Sequence, residues 1–323
     1  MYGGDYLTEY IVNTDNEKLH FYRTQKGELV MERKNGQKKI LFYPIERPFS
    51  VMLRKNHPPE VLCFSKNRII YINSKTGDSF TVAHTNKGLN LKRLHCFYES
   101  ETPFFLGSAE YQGELLLIMS PLSDKAQPKT IAKLSHPDFF LHKNRLYYSE
   151  IGGMLGYSEF SKLASGEFNS LIFGAVSPFV ITSDGKEYMV AKKDGNILFQ
   201  NRTVCRDEYA KNPIIASTPT ELILSWKSRG YVRYIKSADG GKSWSDVAQL
   251  MSAGKETPLF VNITHESYTL TYLKEKLPTV QTQTEASVAK DLLSELESQR
   301  SELERIKKEI ASLKNRTTRT DFF

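Results

Sequence analysis

YVRYIKSADGGKSW, residues 231–244, reads as a strand that runs straight into a turn. Tyr231, Val232, Tyr234 and Ile235 are the aromatic and β-branched side chains that fit a pleated, half-buried surface. At Ser237 the chain changes character. Asp239 offers a carboxylate to turn amides, Gly241 permits a backbone conformation closed to residues with a Cβ, and Trp244 can pack back under the turn as the next strand begins. Strand, polar turn, strand is the signature of a β-hairpin.

The same grammar extends along the chain in both directions. LHFYRTQKGELVMER from Leu19, RIIYINSKTGDSFTVAH from Arg68, GELLLIMSPLSD from Gly113 and RLYYSEIGGMLGYSEF from Arg145 each join two apolar runs through a Gly, Asp or Asn turn. KEYMVAKKDGNILFQN from Lys186, ELILSWKSRGYVRYIKS from Glu221 and ESYTLTYL from Glu266 continue the series, and no helix-period stretch of useful length interrupts it. A return about every 30 to 47 residues is the spacing of propeller blades. The expectation is an all-β body over residues 1–276, a β-propeller of about six blades. The units read as Arg47–Asn86, Lys87–Leu134, Ser135–Ser165, Gly166–Asn201, Arg202–Met251 and a short last one from Ser252. The hairpin from Leu19 to Arg33 then stands spare, and pairing it with the strand near Tyr268 to Leu273 would close the ring and cover an exposed sheet edge. A two-layer sandwich is the alternative architecture.

Ser237, Asp239, Gly241 and Trp244 match the pattern S-x-D-x-G-x-x-W, so this stretch resembles the Asp-box of sialidase-like propellers. INSKTGDSF from Ile72, ITSDGKEY from Ile181 and AKKDGNILF from Ala191 echo it in part. The resemblance implies a propeller fold and a structural turn between the outer strands of a blade, away from the central site. A sialidase-like enzyme would need three arginines to clamp a carboxylate bidentately, a Tyr nucleophile paired with a Glu, and an Asp acid/base at the ring centre. The family's opening aromatic-Arg-Ile-Pro is not present. The nearest text, Glu46-Arg47-Pro48-Phe49, lacks the Ile and has its aromatic on the wrong side. Asp-boxes also occur in propellers without sialidase activity. No catalytic residue is therefore assigned.

After Lys276 the composition shifts. LPTVQTQTEAS, residues 277–287, is polar, carries Pro278 and reads as a linker. Residues 288–314 contain neither Gly nor Pro and place apolar residues in heptads: Ala289, Leu296, Leu303 and Ile310 at a, Leu292, Gln299, Ile306 and Leu313 at d. This predicts a coiled-coil helix with a seam of Leu292, Leu296, Leu303, Ile306, Ile310 and Leu313, broken by Gln299. An amphipathic helix folded back on the body is the alternative. Residues 315–323 read as a flexible tail.

The remaining features exclude more than they assign. The net charge of +7 arises from 44 Lys and Arg against 37 Asp and Glu spread along the chain, which does not point to a nucleic-acid partner. Cys63, Cys96 and Cys205 form no CxxC, so neither a disulfide framework nor a zinc cluster is indicated, and the seven histidines, His136 and His142 among them, lack metal spacing. His95-Cys96 is no nucleophile and base pair, because neighbours on a strand point to opposite faces. No P-loop, dinucleotide fingerprint or GxSxG is present, so no cofactor is expected. MYGGDYLTEYIV at the start has neither a basic nor an apolar segment, and no apolar run nears the roughly 18 residues of a membrane span. The expectation is a cytoplasmic, non-enzymatic binding or scaffold protein that self-associates through its C-terminal helix and holds a protein or glycan ligand on the propeller face. A sialidase-type glycan-binding protein or hydrolase is the first alternative, a phage or structural appendage protein the second.

Overall fold

The computed structural model describes residues 9–250, except 15–16, 53–56, 86, 100–101, 124–126, 219 and 230, and in addition 262–263. The chain divides into two units, Met1–Leu277 and Pro278–Phe323, and everything described belongs to the first. The expected linker, coiled-coil helix and tail lie outside the described residues.

Strand follows strand in antiparallel sheets. The first sheet contains β1 (Glu9–Asn13), β2 (Lys18–Arg23), β3 (Leu29–Arg33) and β4 (Lys38–Phe42). The second contains β5 (Glu46–Met52), β6 (Glu60–Ser65), β7 (Arg68–Asn73) and β8 (Ser79–His84). A seven-stranded sheet comes next, with β9 (Asn90–Glu99), β10 (Thr102–Tyr111), β11 (Glu114–Pro121), β12 (Lys129–His142), β13 (Arg145–Glu150), β14 (Met154–Glu159) and β15 (Asn169–Phe173). It is two four-stranded sets sharing one long strand. Residues 129–133 of β12 pair with β11, and residues 134–142 pair with β13. Two further sheets hold β16 (Val176–Ser183), β17 (Lys186–Lys193), β18 (Asn196–Phe199) and β19 (Arg202–Arg206), then β20 (Lys211–Ser217), β21 (Leu222–Ser228), β22 (Tyr231–Ser237) and β23 (Ala248–Leu250). Finally β24 (Asn262–Ile263) joins the first sheet, parallel to β1 through Ile11↔Asn262 and Val12↔Ile263.

These pairings change several expected boundaries. Leu19 to Arg33 is no spare hairpin: it forms β2 and β3 of a complete set, and the strand beside β24 is β1. The segment from Tyr268 to Leu273 lies outside the described residues. The unit expected to end at Ser165 runs on to Phe173, because a 3-10 helix at Phe160–Ser165, ended by Gly166 with φ 72°, is spliced in before β15. Arg202 to Arg206 completes the preceding sheet instead of opening the next one.

Both faces of β5–β8, of the seven-stranded sheet and of β16–β19 are covered, which explains their continuous apolar runs. In β6 Val61 and Cys63 enter one core while Leu62 and Phe64 enter another. In β10 Phe105 faces β5–β8 and Leu106 faces the set begun by β12, as side-chain alternation requires. The largest core joins residues of β1–β4, β5–β8, β16–β19 and β20–β23, so the sheets from the two ends of the unit pack into one body. A recurrent main-chain bond fastens the loops. The amides of Ile45, Gly174 and Asp207, each leaving an outer strand, donate to the carbonyls of Gly27, Gly153 and Gly195 at 2.8, 2.7 and 2.7 Å. Outer-strand exits and second-to-third-strand turns therefore share one face.

Candidate functional site

The first strands of successive sets, β1, β5, β9, β12, β16 and β20, are stitched together by side chains. The Tyr10 hydroxyl donates to the Phe49 carbonyl at 3.0 Å, and the Cys96 amide donates to Ser50 Oγ at 3.2 Å. Arg93 pairs with Asp138 at 2.7 Å, His142 Nε2 meets Thr182 Oγ1 at 2.8 Å, and the hydroxyls of Ser183 and Ser217 bond at 2.7 Å. Each bond spans one step from set to set.

Three of these strands begin with an irregularity at a proline, and β12 has one where its pairing passes from β11 to β13. Register shifts cover Arg47-Pro48 in β5, Pro137 in β12, Ser177-Pro178 in β16 and Asn212-Pro213 in β20. Proline has no amide to give the ladder, so it suits a bulge where pairing is already interrupted. Ser177 and Asn212 take φ values of 54° and 49°, which turn the chain as it enters the strand.

The bulges of β12 and β16, with β9 and β17 beside them, gather polar side chains at the entry end of the inner strands, the mouth. Asp138, nearly fully buried, accepts from Arg93 and from the Ser177 hydroxyl, and its own amide donates to His136 Nδ1 at 3.3 Å. Lys192, at the end of β17, donates to the Ala210 carbonyl at 2.6 Å. An Nδ1 that accepts an amide carries no proton, so His136 is neutral with its proton on Nε2. Burial pushes its pKa below the ordinary histidine value, and the positive charges of Arg93 and Lys192 push the same way against the pull of Asp138. Burial also raises the Tyr10 phenol and pushes the Cys96 thiol up to about 12, which leaves both protonated at neutral pH.

This grouping is held by one ion pair and a set of hydrogen bonds. The Ser177 hydroxyl donates to a carboxylate already paired with Arg93, and His136 Nδ1 lies 3.6 Å from that carboxylate. Of the other arginines, Arg23 donates to the Ile45 carbonyl at 3.0 Å, Arg145 pairs with Glu187 at 3.0 Å, Arg202 donates to the Gly241 carbonyl at 2.9 Å and Arg233 pairs with Asp207 at 3.2 Å. Among the described residues there is no group of three His, Cys, Asp or Glu that could hold a metal. No helix there is long and apolar enough to cross a membrane.

The four motif residues lie together in the connection between β22 and β23. Asp239 Oδ1 accepts from the Ser237 hydroxyl at 2.8 Å and from the amides of Lys242 and Ser243 at 2.9 and 3.0 Å. Its Oδ2 takes the Ser243 hydroxyl at 2.6 Å, and these bonds, the Ser243 hydroxyl foremost, hold its pKa well below the usual carboxylate range. The Gly241 amide donates to Ser237 Oγ at 2.7 Å. Trp244 is half-buried and meets Phe199 of β18 edge-on at 5.1 Å, so the turn of one sheet is seated on its neighbour. The seam residues Leu292 to Leu313 lie outside the described residues.

Sequence reasoning missed Arg93, Asp138, Ser177 and Lys192. The available signal was the recurring entry text, Ile45-Glu-Arg-Pro-Phe49, Ala175-Val-Ser-Pro-Phe179 and Ala210-Lys-Asn-Pro-Ile214, with a looser copy from Leu134 to Phe139.

No family model and no curated protein matches the chain. Among solved structures, one from the mitotic checkpoint complex is similar with a TM-score of 0.50 and 9% identity, covering 81% of this chain and 82% of its own. A quinoprotein alcohol dehydrogenase-like protein from Bacteroides thetaiotaomicron gives 0.49 at 10% identity, over 77% of this chain and 67% of that one. BamB from Moraxella catarrhalis gives 0.47 at 11% identity, over 79% and 78%. At such identities likeness speaks to fold alone, and together with the sheet order it makes the described body of this chain a β-propeller.

Proposed function

We propose that this protein is a non-enzymatic, six-bladed propeller scaffold. It engages a protein partner on the axial face where the first strands begin, and it self-associates through a coiled coil over residues 288–314. The observation that carries the reading is the mouth. Successive blades deliver Arg93, His136, Asp138, Ser177 and Lys192 to one place in a geometry suited to recognition and unsuited to nucleophilic attack. Several weak sites on one multimer would raise avidity without new contacts, which gives the combination of propeller and coiled coil its rationale. A cytoplasmic location belongs to the same reading.

The test screens the full chain against arrayed peptides and arrayed glycans, beside a Lys192→Ala variant. Peptides bound by the native chain and weakened in the variant support a protein-binding scaffold. Binding confined to acidic glycans would move the assignment to a sialidase-type glycan-binding protein.

A further inference from the structure

At the mouth one half-buried cation has no carboxylate of its own. Lys192 Nζ donates to the Ala210 carbonyl at 2.6 Å, its one hydrogen bond among the described residues. An ammonium carries three donors, so two remain. Lys192 lies opposite Val176 in the β16–β17 pairing, beside the Ser177 whose hydroxyl is held by Asp138. His136 offers a further donor. Its Nδ1 takes the Asp138 amide, its proton sits on Nε2, and that N–H has no partner among the described residues. The charges acting on this imidazole are Arg93 and Lys192 against Asp138, two cations to one anion. Asp138 is engaged by Arg93 and Ser177, and the acids near the start of β20 have their own cations, Asp207 with Arg233 and Glu208 with Arg206. The group around His136 therefore keeps one surplus positive charge, with donors open on Lys192 and His136.

We infer that the mouth binds a carboxylate of the protein partner, seated on Lys192 Nζ with His136 Nε2–H as a second donor. The inference rests on the axial-face reading above and names the group that face takes. A carboxylate brings one negative charge and two acceptor oxygens, which matches one surplus cation and donors from two side chains. Because Lys192 is half-buried, its charge is screened less than that of a lysine on the open surface. A phosphate ester fits less well. It carries close to two negative charges at neutral pH and would leave the group net negative beside the buried Asp138. Asp138 thus supplies the discrimination, since its charge is tolerable next to one carboxylate and costly next to a dianion.

The experiment follows the His136 imidazole of the full chain by NMR, with His136→Gln identifying its signal, as acetate, acetamide or inorganic phosphate is added at constant ionic strength. Acetate should move the signal saturably and at lower concentration than phosphate, while acetamide leaves it in place. Lys192→Met keeps the apolar stem and should weaken acetate on the order of tenfold; Lys192→Arg keeps the charge and should retain most of the binding. Thermal melting checks both variants, and the comparison of the three probes on the native chain needs neither. An unmoved signal overturns the inference, as does an equal response to acetamide, tighter binding of phosphate, or undiminished acetate binding in a folded Lys192→Met chain. Two peptides then separate the sources of a carboxylate, one with an internal Glu and a blocked C-terminus, the other with a free C-terminus and no acidic residue. The one that displaces acetate names the source, and displacement by neither overturns the inference. If array-selected peptides respond to Lys192→Ala while acetate leaves His136 unmoved, the carboxylate site alone is refuted and the axial face stands. Acetate binding with no array peptide that depends on Lys192 would refute the protein partner and leave only an anion site.

Discussion

A Cβ on Gly241 would lie 2.2 Å from Cε1 of Phe199, so the turn between β22 and β23 approaches the neighbouring blade more closely than any side chain allows. Gly241 also holds φ at +87°. Replacing it by Ala should cost about 3 kcal/mol, from backbone strain and the displaced ring together. Gly240→Ala is the control, since its φ is +71° but its nearest neighbour is Tyr188 Oη at 3.8 Å, and about 1 kcal/mol is expected there. Urea unfolding of both variants decides it. Equal losses would mean that Phe199 moves aside freely.

Trp244 packs edge-on against that same ring and is only partly covered. Trp244→Ala should therefore cost about 2 kcal/mol, below the range for a fully buried aromatic. In a double-mutant cycle with Phe199→Leu the two losses should not add, because each removes the same contact. Simple additivity would show that the turn and β18 are energetically separate.

Asp207 is a buried hub with a stability role. Its carboxylate accepts from Trp226 Nε1 at 2.8 Å, the Ser228 hydroxyl at 3.0 Å, the Tyr209 amide at 3.0 Å and Arg233 at 3.2 Å. Burial alone would raise its pKa, but these bonds outweigh it and hold the group below the ordinary value. Asp207→Ala should cost about 3 kcal/mol by leaving the Trp226 donor and the Arg233 charge unanswered. Denaturant unfolding measures this, and a loss confined to the range of a surface substitution would remove Asp207 from that role.

His142 should make the fold acid-sensitive. It is buried between β12 and β16, with Nε2 on Thr182, and burial holds its pKa below the ordinary value. Glu187 pulls upward while Lys143 and Arg145 push down. The unfolded chain then binds the proton more readily than the folded one, and stability is lost as pH falls below about 6.5. His136, shifted the same way, adds to the trend. Thermal unfolding at about pH 7.5 and about pH 5 should show a smaller drop in His142→Gln than in the native chain. An unchanged drop would place the titrating group elsewhere.

The proposed coiled coil should be separable from the body. Truncation after Lys276 should leave a monomeric, β-rich protein, while the full chain associates in a concentration-dependent way. Placing Asp at both Leu303 and Ile306 should act like the truncation, since each buried charge in the seam would cost several kcal/mol. Light scattering reads the masses, and equal masses per chain in the full and truncated forms would mean that the stripe packs against its own body.

The sequence by itself determined what is local. Alternating apolar runs specified strands, turn residues such as Asp184-Gly185 and Asp194-Gly195 marked hairpins, and Ser237 to Trp244 encoded a turn whose bonds nearly all close within that stretch. Tertiary structure decided what is distant. That β1 and β24 share a sheet, or that β12 serves two sets, depends on how finished sheets pack, and alternation is identical in a spare hairpin and in the middle of a blade. The mouth is the extreme case. Arg93, Asp138, Ser177 and Lys192 are common residues far apart in the chain, and only the stacking of successive sheets brings a guanidinium, a carboxylate and a hydroxyl within hydrogen-bond reach.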